Sequence, residues 1–345
     1  MTKPFVVPVF IPHAGCPHRC VFCNQHNTTG REAQTPTAAA VKAAIEEFLA
    51  YRRDDRRPTE IAFYGGNLLG LPREQVQLLL ATAAHFVRRG RAHGIRFSTR
   101  PDTIDPQRLG WLAPFPVSTV ELGVQSMNDT VLAAADRGHT AADTVRAVTL
   151  LHASPYRLGV QMMVGLPADT PATARATARQ LVSLAPDFAR IYPTLVLRGS
   201  RLARQHFHGR YTPLKLDEAV TLTASLFQIF ARHHIPVIRM GLQATSHLTS
   251  GDRIVAGPFH PAFGELVQSA VWLDAMDRHL EREALQGTEI RIDAPSRYLS
   301  QIKGAHDANI LALINRHQLT GITVRGDDAL APDQVTINGV ICTKL

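Results

Sequence analysis

Short runs rich in β-branched and aromatic residues alternate with helical patterns along most of this 345-residue chain, and that alternation limits the fold more than any other feature. Residues 5–11, 59–64, 95–99, 117–124, 157–164 and 188–196 read as strands, and 237–240 is a candidate seventh. Helical patterns at 37–53, 72–89, 107–112, 140–152, 172–184 and 216–233 separate them. Pro72 opens the second of these and Gly90 closes it, as helix termini favour. Strict alternation implies a parallel sheet, either doubly wound or curled into a barrel. Pro8 has no N–H to give a sheet ladder, so the first strand should lie at an edge, as at the open side of an incomplete barrel.

The placement of unusual residues decides between the two folds. Cys16-Pro-His-Arg-Cys20-Val-Phe-Cys23 follows the first strand, and Gly65-Gly66-Asn67 ends the second. Ser98-Thr99-Arg100-Pro101-Asp102, Glu121-Leu122-Gly123-Val124-Gln125-Ser126 and Gly165-Leu166-Pro167-Ala168-Asp169-Thr170 end or follow the third, fourth and fifth, and Tyr192 lies in the sixth. All fall near C-terminal strand ends, which converge on one mouth in a parallel (β/α) barrel and carry the active site there. The expected fold is therefore α/β, a partial (β/α)6 TIM-like barrel over residues 1–243, followed by a small α+β domain over 244–345.

Three of the four cysteines sit in that one eight-residue run. Soft thiolates so spaced can grip zinc or an iron–sulfur cluster. A closed structural site wants four ligands, whereas three thiolates on a four-iron cluster leave one iron open for chemistry. Zinc completed by His13, His18 or His26 competes on spacing alone. A disulfide leaves an odd thiol over, and Cys342 stands apart near the C-terminus as a packed or idle thiol.

The cysteine spacing, Phe63-Tyr64-Gly65-Gly66, Ser98–Asp102, Glu121–Ser126, Arg137-Gly138-His139-Thr140 and Arg190-Ile191-Tyr192-Pro193-Thr194 together resemble one branch of the radical S-adenosylmethionine superfamily. That branch is the radical domain of the Elongator catalytic subunit and its shorter bacterial relatives, and the resemblance runs from about residue 5 to 243. It implies a [4Fe-4S] cluster on Cys16, Cys20 and Cys23, with S-adenosylmethionine chelated to the open iron. Cleavage of the cofactor yields a 5′-deoxyadenosyl radical that abstracts hydrogen from a substrate. The cofactor is expected at Phe22, Gly65, Gly66, Asn67, Arg100, Gln125 and Gly165, and the substrate at Glu121 and Tyr192. Asn67 departs from the acidic residue common at its position in the superfamily. The Elongator subunit carries an acetyltransferase domain after its radical domain, and a chain ending at Leu345 is expected to lack one.

Charge and composition bear on the partner. A net charge of +8 and a pI near 9.7 suit a phosphate-rich partner such as RNA, although abundant arginine and alanine also follow from a GC-rich genome. The longest charge run, residues 52–57, mixes signs and reads as a solvated helix end. Neither a signal peptide nor a membrane-length apolar stretch is present, so the expected location is cytoplasmic. Transfer RNA is the first substrate class, a small metabolite or cofactor the second, and a non-catalytic zinc scaffold the third reading. A reductant such as ferredoxin or flavodoxin completes the expected partners. Beyond residue 243, a loop over 245–261, a helix over 262–285, strands at 289–292, 322–324 and 334–341 and a helix over 306–317 form a module that packs on the barrel or closes its mouth.

Overall fold

The computed structural model describes residues 4–24, 35–52, 57–242, 248 and 253–345. The charge run at 53–56, His26, the expected boundary at 243 and much of the 245–261 loop lie outside them. Strands β1 (Phe5–Phe10), β2 (Thr59–Tyr64), β3 (Gly94–Thr99), β4 (Val117–Gln125), β5 (Arg157–Val164) and β6 (Phe188–Pro193) alternate with helices. Those helices are α1 (Ala38–Ala50), α2 (Arg73–Arg88), α3 (Pro106–Gly110), α4 (Asp129–Ala134), α5 (Ala141–His152) and α6 (Pro171–Ser183). After β6 come β7 (Val196–Leu197), α7 (Arg201–Phe207), α8 (Leu216–Arg232) and β8 (Val237–Met240).

Among the described residues one parallel sheet orders its strands β1-β2-β3-β4-β5-β6-β8, so the candidate strand at 237–240 joins the partial barrel as its seventh. Among the described residues β1 pairs only with β2, which leaves Pro8 on an edge strand as its missing N–H requires. The expected strand over 188–196 is two strands. After Pro193 the chain leaves the barrel, and Val196–Leu197 pairs antiparallel with β9 (Ile254–Ala256).

Alternation along each strand sorts core from lumen. Val120, Leu122 and Val124, like Val7, Ile61, Phe97, Val160 and Ile191, enter the apolar layer beneath the helices. Glu121, Gly123 and Gln125 therefore face the barrel interior. A barrel of this type usually fills its interior with branched apolar side chains. Here ions fill it. Glu121 accepts from Arg96 Nε at 2.9 Å and pairs with Arg190 Nε at 2.6 Å, while Arg96 Nη1 reaches Glu60 at 2.7 Å. Tyr64 donates to Glu121 at 2.9 Å and accepts from Arg190 at 3.1 Å. Burial works against the charge on Arg96, yet Glu121, Tyr64 and Glu60 together raise its pKa.

The C-terminal module hangs on α9 (Phe263–Arg282) and adds β10 (Glu289–Ala294), α10 (Leu299–Lys303), α11 (Ala308–His317), β11 (Gly321–Gly326), β12 (Gln334–Ile337) and β13 (Val340–Thr343). The expected strand over 334–341 is instead a hairpin, turned by Asn338 and Gly339, both at positive φ. Helix α8 precedes a parallel strand, so it runs from the mouth toward the far end of the barrel. The first half of α9 lies along it, with Phe263, Val267 and Val271 against Ala219 and Ala224, and Gln228 bonds Asp274 further down. Trp272, Met276 and Leu280, on the second half, build the module core with Ile290 and Ile292. The module thus sits on the flank, away from the mouth. Cys342 is buried in that core, as expected of a packed thiol.

Candidate active site

The cysteine loop leaves β1 at the mouth and lies directly on the end of β2. His13 N–H donates to Gly65 O at 3.1 Å, and Asn67 N–H to Ala14 O at 2.9 Å. Three glycines make the approach possible. A Cβ on Gly15 would stand 2.1 Å from Asn67 O, one on Gly66 2.3 Å from Ile11 O, and one on Gly70 2.0 Å from Gly15 O. Gly15 and Gly65 also hold positive φ, at 72° and 88°. Gly66 thus seats the cysteine loop, and Gly15 and Gly70, absent from the residues expected on sequence grounds, are its counterparts.

Asn67, buried completely, is the pin through this contact. Its amide donates to Gly15 O at 2.8 Å. Its Oδ1 accepts from Thr99 Oγ1 at 2.6 Å, Thr103 Oγ1 at 3.0 Å and the Arg100 N–H at 3.0 Å. The side chain expected to meet a cofactor is spent on joining three strand ends. Alanine at Gly66 is expected to lift the loop and expose Cys20, which is 7% accessible. Thiol-reagent kinetics on metal-free protein should then show Cys20 reacting about tenfold faster or more, the effect of losing about 1.4 kcal/mol of local closure. Unchanged kinetics would mean that the loop does not depend on this contact.

The far side of the loop is held by α4, α7 and the segment between α4 and α5. Val21 N–H donates to Ala135 O at 3.1 Å, and Leu202 N–H to Val21 O at 2.8 Å. Phe22 packs in the cluster of Val21, Val131, Leu166, Leu202 and Tyr211. Arg137 follows α4, donates from Nη2 to Gly123 O at 2.5 Å, and brings Nη1 to 3.5 Å from Cys20 Sγ. His18 rests on Gly138, where a Cβ would meet its ring at 2.2 Å.

Positive charge gathers around the thiols. Burial raises the pKa of Cys16, and the Arg137 and Arg100 guanidiniums pull against it. Arg100, 2% exposed, is clamped by Asp102 through Nε at 2.9 Å and Nη2 at 3.0 Å, an ion pair that competes with a cofactor role. Its Nη1 is nevertheless buried with no partner among the described residues, as are Arg137 Nε and both ring nitrogens of His139. Burial, followed by Arg137 and Arg100, pushes His139 down to about 3, so its ring is neutral. Unpartnered buried polar atoms are rare, and a cluster of them beside thiols fits a site that receives an anionic group. Arg137 and His139 are visible in the sequence within one of the family-like strings, but only the fold brings them beneath the loop.

The other expected residues divide. Gln125 holds a left-handed conformation, φ 70°, at a bulge in β4, and accepts from Gln161 at 3.2 Å. Backbone strain of that kind clusters at active sites and ligand clamps. Gly165, at φ 74°, receives the Tyr211 hydroxyl on its carbonyl at 2.5 Å. Glu121 lies deeper, inside the ion network, and Tyr192 touches that network through Arg190 Nη1 at 3.3 Å. Two clefts flank Cys16, one of about 230 Å³ bounded by His13 and Arg19 and one of about 330 Å³ bounded by Gly70, Thr103 and Arg108. Among the described residues, no set of three or more His, Cys, Asp or Glu side chains closes on a single metal ion.

A parallel partial barrel with a tri-cysteine loop pinned over its strand ends is the architecture in which active sites lie at the mouth. The family comparison makes the class specific. Residues 10–181 match the model of the radical SAM superfamily and residues 186–272 that of the radical SAM C-terminal domain, and the chain belongs to this superfamily. It is 26% identical over 241 residues to uncharacterized protein MJ0486 of Methanocaldococcus jannaschii, covering 66% of this chain and 72% of that protein. It is 27% identical over 250 residues to a tRNA uridine(34) acetyltransferase of Dehalococcoides mccartyi, covering 62% of this chain. The match takes in 51% of that acetyltransferase, about half its length. The solved structure of Elp3 from Methanocaldococcus infernus with an N-terminal deletion shares the fold, with a TM-score of 0.57 at 20% identity over 83% of this chain and 65% of that one. Among the described residues, no helix is long and apolar enough to cross a membrane.

Proposed function

We propose that Cys16, Cys20 and Cys23 hold a 4Fe-4S cluster and that this radical SAM enzyme acts on a base of transfer RNA. Gly65, Arg100, Gln125, Arg137 and Gly165 would hold S-adenosylmethionine, with Phe22 beside the cluster loop. When bound, the cluster and S-adenosylmethionine supply a 5′-deoxyadenosyl radical for hydrogen abstraction. The protein's part is positional. Gly15, Gly66, Gly70 and Asn67 fix the height of the cysteine loop, and Arg100 and Arg137 offset the negative charge that thiolates bring. One observation carries the cluster assignment: Arg137 stands 3.5 Å from Cys20 Sγ, and its Nε is buried and unpartnered among the described residues.

Two features favour RNA over a small metabolite. Arg19 and Arg201 are exposed at the mouth against Asp136, Arg100 and Arg137 add charge beneath the cysteine loop against Asp102, and the C-terminal module lies on the flank instead of over the opening. The D. mccartyi relative's name also points to transfer RNA. A base must leave its stack to enter such a site, so unpaired anticodon-loop bases are the expected targets. A one-electron donor such as ferredoxin or flavodoxin would serve the cluster.

With a strong reductant, reconstituted protein is expected to release 5′-deoxyadenosine and methionine slowly. Nucleoside mass spectrometry of transfer RNA from a strain lacking the protein should show a missing modification. An unchanged nucleoside profile alongside intact cofactor cleavage would move the assignment to a small-molecule substrate.

A further inference from the structure

Residues 198–215 contain Arg198, Arg201, Arg204, Arg210 and Lys215 and no acidic residue. The segment runs from the end of the β7 strand through α7 to the start of α8 and borders the mouth. It is tied to the site at both ends. Asn24 Nδ2 donates to Arg198 O at 2.7 Å, Arg201 Nη2 donates to Arg19 O, and Leu202 N–H meets Val21 O, so the first half is bound to the cysteine loop. At the other end the Tyr211 hydroxyl reaches Gly165 O.

Helix α7 divides into two faces. Leu202 and Ala203 are buried against Val21 and Tyr211. Arg201, Arg204, Phe207 and His208, at three- and four-residue spacings, are exposed on the opposite side. Phe207 is 67% accessible, the highest value of any large apolar side chain among the described residues. A phenylalanine so exposed gains nothing for the fold. Interleaved with arginines, it has the form of a stacking platform for single-stranded nucleic acid, in which cations follow phosphates and an aromatic ring receives a base. The α9 surface offers a contrast: there Asp274, Asp277, Arg278, Glu281, Arg282 and Glu283 mix both signs, and several pair with one another.

We propose that α7 and its flanks form the docking platform for an unpaired RNA loop, with Phe207 stacking on a base and Arg204 and Arg210 contacting phosphates. This rests on the RNA assignment above and names its contact surface. Because the platform is fixed to the cysteine loop, a strand seated on it presents neighbouring bases to the mouth.

The test is fluorescence anisotropy on the full-length protein with labelled oligouridylate as the probe, over a salt series. Phe207→Ala is expected to weaken binding about 5- to 100-fold with an unchanged salt slope, since stacking is not ionic. Arg204→Ala combined with Arg210→Ala should also weaken binding and should flatten the slope by about 0.7 for each phosphate that is no longer neutralised. Arg278→Ala on the flank should change neither. All these side chains are exposed, and unchanged melting temperatures would show that each variant folds. If the parent binds the probe and Phe207→Ala binds it equally well, the platform is wrong and the RNA assignment stands. If the parent fails to bind even at low salt, both are overturned.

Discussion

Alanine at Cys16, Cys20 or Cys23 is expected to abolish iron binding outright. The parent, reconstituted anaerobically, should take up about four irons and four sulfides per chain and turn brown. The three positions share one loop, pinned by Asn67 and backed by Arg137, so losing any thiolate removes one of the three cluster ligands. Cys342→Ala is the internal control. Its thiol is 3% exposed in the module core, bonded to Ala275 O at 3.5 Å, and burial pushes its pKa up to about 11. That variant should keep full iron content. Colorimetric iron and sulfide assays with visible absorbance would check each protein. Stoichiometric zinc without iron uptake under reducing conditions would sink the cluster assignment.

Local signals and non-local ones separate cleanly in this chain. Strand and helix alternation, the edge position of β1 and the convergence of special residues on one mouth follow from patterns a few residues long, and all are legible in the sequence. Gly15 and Gly70 are not, because each needs the other: the loops that touch are more than fifty residues apart in sequence. Helix α7 is seven residues long, too short for its periodicity to stand out. The Asn338-Gly339 turn lies inside a span whose β-branched residues suggest one continuous strand, although that dipeptide is a strong hairpin signal. Glu121 shows the deepest limit. Sequence marks it as a polar residue at a strand end, but its partners Arg96 and Arg190 look like ordinary surface charges until register aligns them. Ser98 sits opposite Glu121 and Gln161 opposite Arg190, which turns all three ions into one lumen. Asn67 is a milder case, since its full set of bonds is visible only once β2 and β3 stand side by side.

Glu121→Ala is expected to destabilise the barrel by about 3–5 kcal/mol, the usual cost of breaking a buried ion pair from one side. The Glu121 side chain is 4% exposed, Arg96 5% and Arg190 12%. Glu121 pairs with both arginines, and removing it leaves Arg96 with Glu60 and takes from Arg190 the carboxylate that its Nε meets. Tyr64 also loses the acceptor for its hydroxyl. Against a typical total stability of about 5–15 kcal/mol, such a loss is large. Urea unfolding should show a lower midpoint with the slope unchanged, because the folded surface stays the same. Glu121→Gln keeps an acceptor for Tyr64 and Arg96 and removes only the charge, so its loss should be smaller. The same pair of variants separates the two roles open to this residue. A lumen keystone predicts that stability falls in the order parent, Gln, Ala. A substrate contact, the role expected from sequence, predicts that both variants unfold like the parent and lose only turnover. Two arginines held by one carboxylate at 2.9 and 2.6 Å favour the keystone, and the same network would then set the position of Tyr192 at the floor of the mouth through Arg190.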